Sequence, residues 1–452
     1  MSYTIIRNAQ IVNEGEIKTQ DLLINGERIE KIDENISIKS LHREIDAEGN
    51  YLFPGLIDDQ VHFREPGMTQ KANIYTEAKA AVAGGVTSFM EMPNTIPPAT
   101  THELLEQKYE IASNHSLANY SFYLGTSNTN LDEIKKTDPS KICGIKIFMG
   151  SSTGDLVVDD MNALENIFKH SPTLIATHCE DDSRIKENTV PLRMQYGDAI
   201  PMRFHPIIRD EKACYDSSKY AIELATKHNS RLHVFHISTA NEIVLFTNKI
   251  PLAEKRITAE VCIHHLWFDS NDYATMGSLI KCNPAIKGPD HKPKLLQALK
   301  DGFFDVLATD HAPHTMQEKM TWAADGNINY FKSPSGLPLV QHSLNMLLEF
   351  WHNKQLRLID IAEKASHNPA ICFGVKDRGF IREGYFADLV LVNPDSQWEV
   401  KPENIYYKCG WSPLDGFKFK SKITHTFVNG HLVYNKGYFN ENNFGKRLEF
   451  NR

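Results

Sequence analysis

The chain has 452 residues, of which 41% are hydrophobic, and a formal charge of −8 with no blocks of one sign. That length holds one large domain and a smaller one, and the mild, unpatterned charge argues against a nucleic-acid surface and for a small-molecule substrate. Seven scattered cysteines without a Cys-x-x-Cys pair point to a reduced, cytoplasmic chain; no signal peptide or membrane partner is expected, since Met1-Ser2-Tyr3-Thr4 runs straight into strand-like sequence and no apolar run reaches the roughly 20 residues of a span.

Residues 3–50 read as short strands and turns. Tyr3-Thr4-Ile5-Ile6 and Ile11-Val12 precede Asp21-Leu22-Leu23-Ile24, and the Asn25-Gly26 pair before Arg28-Ile29-Glu30-Lys31-Ile32 is a hairpin signal. The middle alternates. Strands are predicted at 52–62, 86–92, 120–125, 144–148, 174–178, 232–237, 257–261 and 305–309, with helical patterns between most of them, at 75–84, 161–170, 213–228 and 292–301 for instance. Eight strands separated in this way predict an α/β fold, a (β/α)₈ TIM barrel. The strand texture returns at 387–392 and 423–428, with an Asn429-Gly430 turn before His431-Leu432-Val433-Tyr434. The two chain ends are therefore expected to share a small β-sandwich, with residues 1–53 and 379–452 flanking a barrel at 54–378. The polar tail from Asn440 is expected to be loosely held.

Five of the strand-like runs deliver a metal-capable or charged group from their C-terminal ends: His62, Lys146, His178, His236 and Asp310. A parallel barrel gathers such ends on one face. Imidazoles and carboxylates collected there suit a catalytic divalent metal, zinc above all, in a metal-dependent hydrolase. A single histidine at a strand end is more often structural; three with a lysine and an aspartate are harder to set aside. Lys146 reads as one half of an ion pair or as a lysine carboxylated by CO₂, whose two oxygens could bridge two metals. Asp310 reads as a helix N-cap, or as a metal ligand that also takes a proton from water. Cys179, beside His178, is pointed the other way by strand alternation.

These stretches resemble the amidohydrolase superfamily and, within it, the dihydroorotase family. The carriers are Pro54-Gly55-Leu56-Ile57-Asp58 leading to Val61-His62-Phe63-Arg64-Glu65-Pro66-Gly67, then Glu91-Met92-Pro93-Asn94-Thr95, Thr177-His178-Cys179-Glu180-Asp181, His236-Ile237-Ser238-Thr239-Ala240, Cys282-Asn283-Pro284-Ala285 and Asp310-His311-Ala312-Pro313-His314. The resemblance implies reversible cyclisation of N-carbamoyl-L-aspartate to (S)-dihydroorotate plus water, in pyrimidine biosynthesis. It implies one or two zinc ions on His62, a carboxylated Lys146, His178, His236 and Asp310, with Asp310 as general acid/base. Arg64, Asn94 and His314 would hold the substrate carboxylate and Asn283 the ring, and a homodimer is implied. Hydantoinase, dihydropyrimidinase and allantoinase are the alternative; such relatives lack the Arg64 match and carry a tyrosine where this chain reads Gly150-Ser151-Ser152. The chain departs from the pattern at Gln60, where the first histidine of His-x-His would stand. A glutamine amide is a weak zinc ligand, so the first metal site loses a strong donor, and a non-catalytic scaffold is the third reading.

Overall fold

The computed structural model describes residues 3–149 and 156–452; Gly150, Ser151 and Ser152, which separate the two enzyme readings in sequence, lie outside the described residues. Five strands open the chain: β1 (Tyr3–Asn13), β2 (Glu16–Asn25), β3 (Arg28–Asp33), β4 (His42–Asp46) and β5 (Tyr51–Pro54). Eight more follow: β6 (Leu56–Val61), β7 (Val86–Glu91), β8 (Asn119–Gly125), β9 (Gly144–Met149), β10 (Ile175–Cys179), β11 (Leu232–Val234), β12 (Ile257–Cys262) and β13 (Val306–Ala308). The last group is β14 (Leu389–Asn393), the short pair β15 (Trp398–Glu399) and β16 (Lys418–Phe419), and β17 (Lys422–Val428), β18 (His431–Asn435) and β19 (Tyr438–Phe439).

Strands β6 to β13 form one parallel sheet in chain order. The ends meet: His62 N donates to His311 O at 2.7 Å, and Val61 bridges His311 in parallel. Asp58 ties the same seam from below, accepting the Thr309 hydroxyl at 2.6 Å. The sheet is thus a barrel of eight strands, and every residue of β6, β7 and β8 is buried. Parallel strands covered on both faces read as continuous apolar runs rather than alternating ones, which is why the sequence exposes them.

The outer helices are specified locally. In the helix Ile74–Ala83 the Asn73 side chain accepts from Thr76 N, and Ala78, Ala80 and Ala81 let the helix lie close on the sheet. The helix Glu211–His228 starts on an Asp210 cap and stops at Asn229, which is left-handed at φ 53°.

The two chain ends build a second sheet in the order β19-β18-β17-β14-β5-β1-β2-β3, with β4 alongside β1. It is continuous, and it curls over one core, Ile6, Leu22, Ile24, Leu52, Leu389, Phe427 and Leu432 among others. The β17–β18 turn lies against the β2–β3 turn, where a Cβ on Gly430 would meet Gly26 O at 2.1 Å, so the far strands return to that hairpin. The predicted sandwich is therefore made by folding a single sheet.

Two expectations need correction. The run 52–62 is not one strand. It breaks at Gly55, where a Cβ would lie 2.1 Å from the Thr87 hydroxyl, so only glycine lets the chain pass from the second sheet into the barrel. The C-terminal tail is not loose either. Leu448 and Phe450 are buried with Ile57, Met90 and Tyr123 under the barrel, and the Arg452 guanidinium donates to Phe373 O at 2.8 Å and Cys143 O at 2.9 Å. Its few apolar residues are spaced for one side of an extended segment, a pattern too short to stand out in a polar stretch.

Candidate active site

At the C-terminal ends of the barrel strands lies a cleft of about 510 Å³. His62, Arg64, Asn94, Lys146, His178, His236, Asn283, Asp310 and His314 all line it, and so does Gln60. Val61 between Gln60 and His62 is buried in the core instead, so the two polar side chains share a side of β6. Cys179 likewise turns away, its thiol 3.3 Å from the Thr177 hydroxyl in the core.

Three of these residues hold the backbone in the left-handed region: Arg64 at φ 67°, His236 at φ 40° and Asp310 at φ 46°. Non-glycine residues there carry strain of order 1–3 kcal/mol, which the surrounding structure must impose, and such strain gathers at functional sites. Here it turns side chains inward just past the ends of β6, β11 and β13.

The donors are arranged in two groups. His62 Nδ1 donates to Asn94 Oδ1 at 2.8 Å, which leaves the Nε2 lone pair facing Asp310 Oδ1 at 3.1 Å. His178 Nε2 is 2.9 Å from Glu180 Oε2, so Nδ1 carries its lone pair toward His236 Nε2, 2.9 Å away. Burial would raise the Glu180 carboxyl, but Arg209 and His178 beside it bring it to about 2. Burial lowers His62, against the raising influence of Asp310, and holds His236 well below the usual histidine range with help from His178. These two imidazoles are neutral, the form that binds metal.

Lys146 Nζ is buried with no hydrogen-bond partner among the described residues and sits 4.5 Å from the Phe148 ring centre and 4.6 Å from that of Phe235. Burial lowers its amine to about 7. Among the described residues no carboxylate pairs with Lys146. An amine whose proton is so readily lost fits the attachment of CO₂, and the set of three imidazoles, Lys146 and Asp310 fits a divalent ion.

Arg64 supplies the other chemistry. It is 6% exposed, its Nε donates to Pro313 O at 3.2 Å and its Nη2 lies 3.1 Å from His314 Nε2. No carboxylate among the described residues pairs with it. Burial brings its pKa to about 10. Burial and Arg64 together push His314 well below its usual range, so it is neutral. The cleft sets Arg64 and Lys332, with Lys71 and Arg209 that are paired to Glu318 and Glu180, against one carboxylate in its lining, Asp310. Such a lining attracts an anion.

Sequence reasoning passed over Lys71, Glu180, Arg209 and Lys281. Lys71 reaches His314 Nδ1 at 3.2 Å and Glu318 at 3.0 Å, and Lys281 fastens the 330–336 loop through Tyr330 O and Ser333 O. That loop closes on the cleft at Gly336, φ 142°, where a Cβ would sit 2.4 Å from Ala312 O. Glu180, two residues after His178, was the one with a readable signal, because a metal-binding histidine needs an acceptor for its other nitrogen.

The amidohydrolase family model matches residues 51–433, and the chain belongs to that family of metal-dependent hydrolases. Within it, the chain falls among the enzymes of cyclic amides. It is 30% identical over 421 residues to a dihydroorotase of Methanosarcina acetivorans, covering 91% of this chain and 88% of that protein. It is 30% identical over 446 residues to an allantoinase of Solibacter usitatus, covering 96% and 94%. The solved L-hydantoinase of Arthrobacter aurescens shares its fold, with a TM-score of 0.89, 24% identity and 97% of each chain covered. No helix of the described residues is long and apolar enough to cross a membrane.

Proposed function

We propose that the chain is a dihydroorotase, interconverting N-carbamoyl-L-aspartate and (S)-dihydroorotate plus water in pyrimidine biosynthesis. The observation that carries this reading is Arg64, a buried guanidinium facing the cleft with no carboxylate paired to it among the described residues. A buried cation left unpaired is costly. A substrate carboxylate would complete it with a charge-assisted, bidentate pair. Hydantoin and dihydrouracil rings carry no such group.

One or two zinc ions held by His62, carboxylated Lys146, His178, His236 and Asp310 would lower the pKa of a water toward about 7 and polarise the scissile carbonyl. Asp310 keeps one oxygen against His62 and takes the proton of the attacking water with the other. It then delivers that proton to the leaving ring nitrogen, acting as base and then as acid. In the biosynthetic direction the same carboxylate takes the proton of the attacking ureido nitrogen and gives it to the departing hydroxide, which leaves as water. Asn94 orients His62 through Oδ1 and has its amide nitrogen left for the substrate carboxylate. His314, neutral and wedged between Arg64 and Lys71, adds a polar contact without repelling either cation. Asn283, whose Oδ1 accepts the Ser335 hydroxyl at 3.0 Å, presents its amide to the ring.

Assays of the zinc-loaded protein against dihydroorotate, dihydrouracil, hydantoin and allantoin test the proposal. Turnover of dihydroorotate far above the neutral rings supports it, and preference for a neutral ring refutes it. The allantoinase relative makes allantoin the competitor to beat.

A further inference from the structure

Beneath the cleft floor the barrel interior holds a second group of donors. Asp59 on β6, His233 on β11 and Glu260 on β12 are each fully buried. Asp59 and His233 stand three residues before His62 and His236, one layer deeper, and none of the three lines the cleft. Their ligand atoms converge: His233 Nε2 lies 3.2 Å from Asp59 Oδ2 and 3.6 Å from Glu260 Oε2.

The hydrogen-bond accounting shows that Nδ1 of the imidazole is a donor. The Thr258 hydroxyl donates to Leu232 O at 3.3 Å, so toward His233 it can only accept. His233 Nδ1, 2.7 Å from that hydroxyl, is therefore the donor. In the neutral ring this leaves Nε2 as a bare lone pair aimed at two carboxylates. Among the described residues Nε2, both oxygens of Asp59 and Oε2 of Glu260 are all buried without a hydrogen-bond partner. Four such atoms converging on one point suit a cation there, since buried polar groups left unpaired are costly.

We propose that Asp59, His233 and Glu260 form a buried binding site for a divalent metal ion, zinc by donor type, distinct from the catalytic donor set above it. Two carboxylates and a neutral imidazole balance a dication. Without an ion, and against the lowering effect of burial, Asp59 and Glu260 raise His233 to about 9, and burial raises Glu260, so a proton on Nε2 is the competing occupant that the test below must exclude. The spacing also suits metal. Zinc bonds of about 2.0–2.1 Å in a tetrahedron separate ligand atoms by about 3.3 Å, between the two distances found. His233 is held as a ligand is held, with its far nitrogen donating to a fixed acceptor. Glu260 joins the site to the cleft floor. Its other oxygen accepts from His236 N at 3.3 Å and lies 3.1 Å from the Cys262 thiol, whose sulfur is 3.5 Å from Gln60 Oε1.

Element-specific anomalous diffraction on the protein purified from zinc-supplemented cells tests the site. A zinc peak bonded to Asp59, His233 and Glu260 is expected, separate from any peak at the catalytic donors. Crystals that show zinc in the cleft and none between these three residues overturn the proposal. Metal analysis of folded variants gives a second reading. Lys146→Ala should lose cleft metal and keep one ion per chain, whereas Asp59→Asn should lose one equivalent relative to the wild type. An unchanged metal content in Asp59→Asn overturns it as well. If Asp59→Asn does not fold, the wild-type map decides alone.

Discussion

Replacing Arg64 by methionine removes the guanidinium and keeps most of the stem volume. Arg64 is buried, faces the cleft and is paired with no carboxylate among the described residues, which leaves its charge for a ligand. A desolvated, bidentate pair with a substrate carboxylate is worth on the order of 2–5 kcal/mol. At about 1.4 kcal/mol per tenfold, kcat/KM for dihydroorotate should fall roughly 30- to 4000-fold. The effect on folding is smaller. The variant loses the hydrogen bonds to Pro313 O and His314 Nε2, each worth about 1 kcal/mol net, and gains relief from a buried charge. Ring opening and ring closure are followed spectrophotometrically in the zinc-loaded protein, with dihydrouracil as the neutral control and thermal melting as the check on folding. The loss should be confined to the anionic ring. A kcat/KM for dihydroorotate within threefold of the wild type would show that Arg64 does not bind the carboxylate, and the preference for dihydroorotase over hydantoinase would go with it.

Asp310→Ala should lose both directions of the reaction by at least the roughly 10²–10⁴-fold typical of a general acid/base; more than a tenth of wild-type activity with metal bound rules out the proton shuttle. Lys146→Ala should lose cleft metal, and acetate or propionate should restore part of the activity by filling the vacated space; full metal content and activity without the acid would make Lys146 structural. Reactivation of metal-stripped protein by zinc and CO₂ should depend on pH through the same amine. Burial lowers its pKa from 10.5 to about 7, and only the neutral amine adds CO₂. At fixed dissolved CO₂ the rate should be level above pH 7 and fall about tenfold per unit below it. A rate that climbs steadily to pH 10 contradicts a neutral buried lysine. Gln60→His should tighten the first metal site, because imidazole is a far better zinc ligand than an amide oxygen. Metal titration that leaves both stoichiometry and affinity unchanged would show that the Gln60 position does not face the ion, and activity appearing only in the variant would favour the scaffold reading.

What the chain by itself determined is the class of fold and the strand ends that matter. Buried parallel strands such as Gly144–Met149 are written as continuous apolar runs, and polar groups at their C-terminal ends face one rim by topology alone. His62, Lys146, His178, His236 and Asp310 could be picked out for that reason, and they meet in one cleft. Gly55 and the tail are different. Whether a strand is interrupted, or a polar segment is held, depends on an atom far away in sequence, Thr87 in one case and Phe373 or Cys143 in the other. Only the tertiary structure decided the charge states. Lys146 became an amine that readily loses its proton because Phe148 and Phe235 replaced water around it, and among the described residues no carboxylate was folded against the Arg64 cation. The convergence of Asp59, His233 and Glu260 belongs to the same category. Residues 59, 233 and 260 sit on strands that only barrel closure brings together, and desolvation, which sets their chemistry, has no signature in a linear sequence.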